Sequence, residues 1–535
     1  MDYPLLYQNF LTQYPQLTGP RQRLLHECLR SAIRKGTLHA GLRLLGTRQL
    51  ASELGLARNT VLYAYEQLAT EGYVSSDRQG TVVVDLKSNV RLSVRLSVQL
   101  SGQLSVRAGE SDAAQDVLPL AQARLSRRAQ NQSHTHNQAQ LQVQSQEGAA
   151  LDSGASKNTV DAVLPDAALT SAFAPGVPAL ADFPQASWRR LLDRAWRSCS
   201  VAQLNYGEAA GELRLRVAIA DHLRASRGVL CEADQVFITD GTQSSLDLCA
   251  RLFADVGDIV WMENPGYKGA LTAFHAAQLQ VHAVSLDEQG LAPDEIDIVQ
   301  HRPKLIYVTP SHQYPLGSVL SLSRRMQLIN HALAAGALII EDDYDSEFRH
   351  DGPPLAAMQG LVADAPVLYL GTFSKTMFPA LRIGFMVVPK HLVAALTRAL
   401  AHAVPRGRAC DQLALAEFIQ SGQFAAHLRK MRRLYRHRRD VLSAALSLHL
   451  GDLGVVCGGS AGMHLALILD ARAPDTLVCA QALQQGIVVH PLSLHALSHA
   501  APVFNGLVLG YAQIAPEQIE IAVEKLAHIV RQLVR

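Results

Sequence analysis

Apolar positions near the start of the chain recur at helical spacing. In "PRQRLLHECLRSAIRKG" (20–36), Leu24, Leu25, Cys28, Leu29 and Ile33 fall on one face, the rhythm of an amphipathic helix. Gly36 and Gly41 punctuate its end. The next periodic run is "GTRQLASELGLARNTVLYAYEQLATEGYV" (46–74). It predicts a short helix capped by Thr47 and running through Leu54, a tight turn at Gly55, and a second helix over 57–70 with Val61, Tyr65 and Leu68 inward. "GYVSSDRQGTVVVD" (72–85) then reads as strand, turn and strand. Helix, glycine turn, helix and hairpin in this order outline a winged helix-turn-helix over residues 1–85.

From about residue 166 the pattern changes. Short apolar runs alternate with helix-length amphipathic segments: "QVFIT" (235–239), "DIVWME" (258–263), "KLIYVT" (304–309), "ALIIED" (337–342) and "VLYLG" (367–371). Strands spaced in this way predict an α/β domain with a largely parallel sheet over 166–535. Polar and glycine residues cluster just after each run, where such sheets hold their ligands.

Residues 86–165 fit neither pattern. No Phe, Tyr or Trp occurs between Tyr73 and Phe173. A period-four repeat, "RLSVRLSVQLSGQLSV", fills 91–106, and "RAQNQSHTHNQAQLQVQSQEGAA" follows at 128–150. Without aromatics this stretch buries too little to offset its ordering entropy, and it reads as a flexible linker. A linker of roughly 80 residues reaches about 50 Å, more than one turn of DNA.

Composition narrows the function. The 535 residues carry a formal charge of only +2, so any nucleic-acid contact must use a local basic patch. Between 21 and 80, nine basic residues face five acids, a local +4. Three polar residues, Arg58, Asn59 and Thr60, open the second helix, the end that meets base edges in this motif. The seven cysteines stand singly, with no zinc-like spacing, and read as buried free thiols of a reducing cytosol. The N-terminus lacks the basic and apolar regions of a leader, and no run of 18 apolar residues exists, so a cytoplasmic chain is expected.

The candidate chemistry centres on Lys375, in "GTFSKTMFPALRIGF" (371–385). A lysine partly desolvated at a strand end loses its proton readily and attacks carbonyls as a neutral amine. Arg382, seven residues on, suits a phosphate. A pyridoxal phosphate site also needs a carboxylate for the pyridine nitrogen, and "ALIIEDDYDSEF" supplies Asp342 or Asp343. Phosphate donors at a helix start come from Gly241, Thr242 and Gln243, and an aromatic plate from Tyr267 in "ENPGYKGA". Each signal alone is weak; their order on one α/β pattern is specific.

These motifs carry a resemblance. "TRQLASELGLARNTVLYAYEQLATEGYV" resembles the winged head of GntR transcription regulators, which implies that Arg48, Arg58, Asn59, Thr60 and Tyr63, with the wing residues Arg78 and Gly80, face operator DNA. The family often reads Leu-Pro-Ser-x-Arg where this chain has Leu44-Leu45-Gly46-Thr47-Arg48. "YVTPSHQYPLG" (307–317), "EDDYDSEFRHDGPPL" and the lysine segment are similar to the MocR (GabR-like) subfamily, which joins such a head to a fold-type I aminotransferase-like domain with a smaller C-terminal α+β subdomain. The resemblance implies that Lys375 forms the internal aldimine, Asp342 pairs with the pyridine nitrogen, Tyr344 bonds the ring hydroxyl and Tyr267 stacks on the ring. It implies that Gly241, Thr242, Gln243, Thr372, Ser374 and Arg382 hold the phosphate, and that Tyr206 reaches the phosphate of the partner in a homodimer. Tyr314 stands where the aminotransferases place Asn before Pro, so His312 or Gln313 is the candidate contact to the ring instead. The basic run "HLRKMRRLYRHRRD" (427–440) reads foremost as a solvated helix face packing Leu428, Met431 and Tyr435 inward, and in second place as a DNA contact.

Aminotransferases grip the substrate carboxylate with an arginine near the C-terminus; "FNGLVLGYAQI" (504–514) has none, and Lys268 and Gly269 stand where the GABA-responsive member has another. The expectation is therefore a pyridoxal-phosphate-dependent regulator that answers to the cofactor or to a reactive amine. An active aminotransferase with a DNA-binding head is the alternative, and a DNA binder whose large domain only dimerises is a third reading.

Overall fold

The computed structural model describes residues 2–14, 20–70, 73–77, 80–84, 173–352, 355–403, 407–497 and 504–534. The expected linker, 86–165, and the wing residue Arg78 lie outside the described residues.

The head holds helices Tyr3–Gln13, Arg21–Arg34, Thr47–Leu54 and Arg58–Thr70, then strands β1 (Val74–Asp77) and β2 (Gly80–Val83), paired antiparallel. Leu25, Leu29, Leu50, Val61, Tyr65 and Leu68 form its core, so the helical periodicity points inward as expected. The helix Tyr3–Gln13 is an addition to the expected elements: Asp2 accepts from the Leu5 N–H at 2.9 Å and Pro4 sits in the first turn, both helix-start signals. Gly46, not Thr47, occupies the N-cap of the third helix, without a side-chain cap. Gly55 ends that helix at φ +61°, a conformation that costs glycine little. Residues 41–44 widen the wing, with Leu44 N–H on Thr81 O at 2.8 Å and Val83 N–H on Leu42 O at 2.9 Å.

The large body is built on eight strands: β3 (Val236–Thr239), β4 (Ile259–Asn264), β5 (Gln280–Asp287), β6 (Gly290–Leu291), β7 (Leu305–Val308), β8 (Leu338–Asp343), β9 (Val367–Thr372) and β10 (Gly384–Val387). Their order is β3-β10-β9-β8-β7-β4-β5-β6. The pairs from β9 through β5 are parallel; β10 runs antiparallel to both β3 and β9, and β6 antiparallel to β5. All five expected apolar runs are strands, and β3, β7, β8 and β9 are buried throughout, as a sheet covered on both faces requires.

A smaller antiparallel sheet of β11 (Gly454–Cys457), β12 (His464–Leu469), β14 (Gly506–Gly510) and β13 (His490–Pro491) packs with helices Gln423–Leu450 and Asp475–Gln484, and the helix Pro516–Val534 packs on both of these. The basic run lies on the helix Gln423–Leu450, with Leu428, Met431 and Tyr435 buried. Its arginines do more than face solvent. Arg432 donates to Glu347 O at 2.5 Å, Arg436 to His350 O at 2.5 Å, and Arg438 to Ala512 O. The first two hold the segment that follows β8. Of the seven cysteines, Cys28, Cys231, Cys249 and Cys410 are buried; Cys199, Cys457 and Cys479 are only half-buried, and all are free thiols.

Candidate functional site

Segments at the C-terminal ends of the parallel strands converge on a cavity of about 290 Å³. Lys375 enters it three residues beyond β9, its Nζ donating to Gly176 O at 2.6 Å. Burial pushes the lysine pKa down, and the nearby carboxylates of Asp345 and Asp342 oppose that shift without cancelling it. The neutral amine is therefore easier to reach than on an exposed lysine.

The two adjacent acids of β8 have different partners. Asp343 is tied to the buried Arg227 guanidinium, with Nε at 2.8 Å, and accepts from Tyr369 Oη at 2.5 Å. Asp342 accepts from Tyr307 Oη at 2.9 Å, while its Oδ1 is buried with no hydrogen-bond partner among the described residues. Burial raises its pKa to about 7, with Tyr307 and Lys375 pulling the other way. Glu263, at the end of β4, is raised to about 7 by the same cause and accepts from Thr309 Oγ1 at 2.6 Å. A carboxylate oxygen in the condition of Asp342 Oδ1 fits a protonated ring nitrogen.

The opposite end of the cavity is a set of anion donors. Gly241, at φ +97°, precedes the helix Thr242–Phe253, and a Cβ there would lie 3.4 Å from the Arg382 guanidinium. Thr242 Oγ1 is buried without a partner among the described residues. Arg382, at φ +48°, leans across to donate to Asp240 O at 2.5 Å. Thr372 and Ser374 complete this side of the lining, while Gln243 donates its amide to Gly269 O at 2.8 Å. A helix N-terminus with a hydroxyl and a guanidinium fits a phosphate.

Aromatic rings close the cavity. Tyr267 meets Tyr314 edge-on with centroids 5.8 Å apart, and Tyr314 in turn meets Tyr344 at 6.2 Å and His464 at 5.2 Å. Tyr344 lines the cavity as expected, but its hydroxyl donates to His312 O at 2.9 Å. His312 lies behind the wall rather than in it, its Nδ1 3.0 Å from Asp345 Oδ2. Gln313 is turned away as well, donating to Pro265 O at 2.9 Å. Tyr206 is 84% exposed and away from the lining. Nine of the expected residues are thus brought together: Thr242, Gln243, Tyr267, Asp342, Tyr344, Thr372, Ser374, Lys375 and Arg382.

Sequence reasoning missed Gly176, Tyr307, Asp345 and His464, which also line the site. Tyr307 carried a signal, a polar hydroxyl inside the apolar run "KLIYVT". Gly176 and His464 come from segments remote in sequence and carried none. In the head, Arg48, Arg58, Asn59 and Gly80 are exposed, and Thr60 and Tyr63 are half-buried.

Residues 186–526 match the family described as aminotransferase class I and II. Over 508 residues, 95% of this chain and 93% of the other, the sequence is 37% identical to the probable rhizopine catabolism regulatory protein MocR of Rhizobium meliloti. The chain belongs to the MocR family. It is also 31% identical to the HTH-type pyridoxine biosynthesis transcriptional regulator PdxR of Corynebacterium glutamicum, over 91% of each chain. The body has the fold of type I aminotransferases. It aligns with LysN, the α-aminoadipate aminotransferase of Thermus thermophilus complexed with N-(5'-phosphopyridoxyl)-L-leucine, at a TM-score of 0.62 and 27% identity, covering 68% of this chain and 92% of that one. Among the described residues no helix is long and apolar enough to cross a membrane.

Proposed function

We propose that this MocR-family member is a transcription regulator that binds operator DNA through residues 1–85 and pyridoxal phosphate through residues 166–535. The cofactor, or an amine that reacts with it, is the signal, and its arrival shifts the DNA-binding state. The observation that carries the cofactor reading is Asp342 Oδ1, buried and without a partner among the described residues, in the cavity that Lys375 enters.

Pyridoxal phosphate, when bound, supplies an electron-poor ring and a carbonyl carbon reactive toward primary amines. The chain's own residues do the rest. Asp342 holds a proton at the ring nitrogen, its raised pKa falling once that positive partner is present. Tyr267 covers the ring face. Gly241, Thr242, Gln243, Thr372, Ser374 and Arg382 hold the phosphate, Gln243 and Arg382 by exchanging their present carbonyl partners. Lys375 offers the amine and takes up or releases the proton at Nζ. His312 positions rather than contacts, bracing Asp345 and Tyr344.

Arg48, Arg58, Asn59, Thr60, Tyr63, Arg78 and Gly80 form the proposed DNA-facing set, with phosphate contacts fixing register and the start of the helix Arg58–Thr70 reading bases. A homodimer is supported by an exposed apolar stretch, Trp196, Val201, Leu204 and Tyr206, on which Val201 is 85% exposed. Tyr206 in that stretch is available to meet a second copy of the chain.

The test is the visible absorption spectrum of the purified chain with added pyridoxal phosphate, followed by borohydride trapping and peptide mapping. A yellow protein labelled on Lys375 is the expected result. A colourless one refutes the cofactor reading and leaves the large domain as a dimerisation scaffold.

A further inference from the structure

The lining of the cavity has a charge pattern that selects among amines. Among the described residues it holds two cations, Lys375 and Arg382. Arg382 stands at the anion-donor end, across Gly241 and on Asp240 O. Around the Lys375 end stand Gly176, Asp345 and His464, with the Tyr314 ring 5.2 Å from that of His464. Asp345 is buried and held by His312 Nδ1 at 3.0 Å. The His464 ring is pushed toward its neutral form by burial, and its Nε2 is already spent on Pro315 O at 3.1 Å. Lys268, the other lysine near Tyr267, is exposed and is not among the lining residues.

A ligand whose amino group approaches Lys375 therefore brings its remaining atoms against a buried carboxylate and neutral rings. A cationic amine gains from Asp345. A carboxylate on the same carbon meets Asp345 with no cation of the lining left to pair it, and an unpaired buried charge is strongly unfavourable. Resting on the cofactor reading above, we propose that the ligand this cavity selects is a primary amine that carries no carboxylate. Amino acids are the compounds it rejects. The hydroxyl of Tyr314 in the same lining suits a hydroxyl or second amino group on that amine.

Matched pairs that differ by one carboxylate test this directly. Ethanolamine and serine, putrescine and ornithine, and phenethylamine and phenylalanine are titrated by calorimetry into the full chain loaded with pyridoxal phosphate. In every pair that binds, the amine is expected to bind at least about tenfold more tightly, the effect of one unpaired buried charge even after generous screening. An amino acid binding as tightly as its amine overturns the proposal, and so does the absence of binding by every compound. Asp345→Asn should narrow the discrimination several-fold, and unchanged discrimination in that variant refutes the electrostatic ground. Should the variant not fold, the wild-type panel decides by itself. Loading is read separately from the absorption spectrum. A chain that takes up no cofactor sinks the functional reading, and the same panel on the cofactor-free chain still tests the cavity's preference.

Discussion

Asp342→Asn in the cofactor-free protein should flatten the dependence of stability on pH. The replacement keeps the shape of the side chain and an oxygen to accept from Tyr307 Oη, now at 2.9 Å from Asp342 Oδ2. What it removes is the titration. Asp342 moves from an ordinary 3.8 to about 7 on folding, chiefly through burial. A carboxyl whose folded pKa lies above its unfolded one contributes stability that is fully present below the unfolded pKa and is lost as pH rises through the folded one. The whole effect is about 4 kcal/mol, of which roughly 2–3 kcal/mol is lost between about pH 5 and pH 8. Glu263 adds a slope of the same sign, from 4.5 to about 7, chiefly through burial; it is present in both proteins, so only the small part that the Asp342 charge adds to it survives in the difference. Urea unfolding followed by tryptophan fluorescence, at several pH values, gives the two curves. Any constant offset from the substitution also cancels, because only the slopes are compared. Parallel curves for wild type and variant would refute the account of Asp342 as a buried, underpartnered acid. Pyridoxal phosphate should flatten the wild-type curve too, since a protonated ring nitrogen gives Oδ1 its missing partner.

Lys375→Ala should abolish borohydride-stable labelling by pyridoxal phosphate while leaving the far-UV circular dichroism unchanged; retained labelling at one site would move the reactive amine elsewhere. Arg58→Ala should weaken operator binding by about 1–3 kcal/mol, measured by fluorescence anisotropy, with no change in the visible spectrum; wild-type affinity would remove this residue from the recognition helix. Asp343→Asn should destabilise the body by about 3–5 kcal/mol in the same urea assay, because it strands the Arg227 guanidinium, whose side chain is 1% exposed; a loss near zero would mean water reaches that pair.

The legible parts of this molecule are those set by local pattern. Leu25, Leu29, Val61 and Leu68 repeat at helical spacing and form the core of the head, and five apolar runs become five strands. The acids at the end of β8 were legible as a pair, and alternation along a strand explains their division of labour. Neighbours point to opposite faces, so Asp343 meets Arg227, 116 residues away, while Asp342 turns to the cavity. Which face held the arginine was not local information. The same holds for His464 and Gly176, which reach Lys375's cavity from β12 and from a loop before the first helix of the body. His312 shows the limit most clearly. Its position in "PSHQYP" suggested a ring contact, yet Asp345 captures its Nδ1 and Tyr344 caps its carbonyl. The buried carboxylate that removes His312 from the lining is also the one that makes the cavity hostile to a second anion, so one residue, Asp345, sets both the architecture of the site and its choice of ligand.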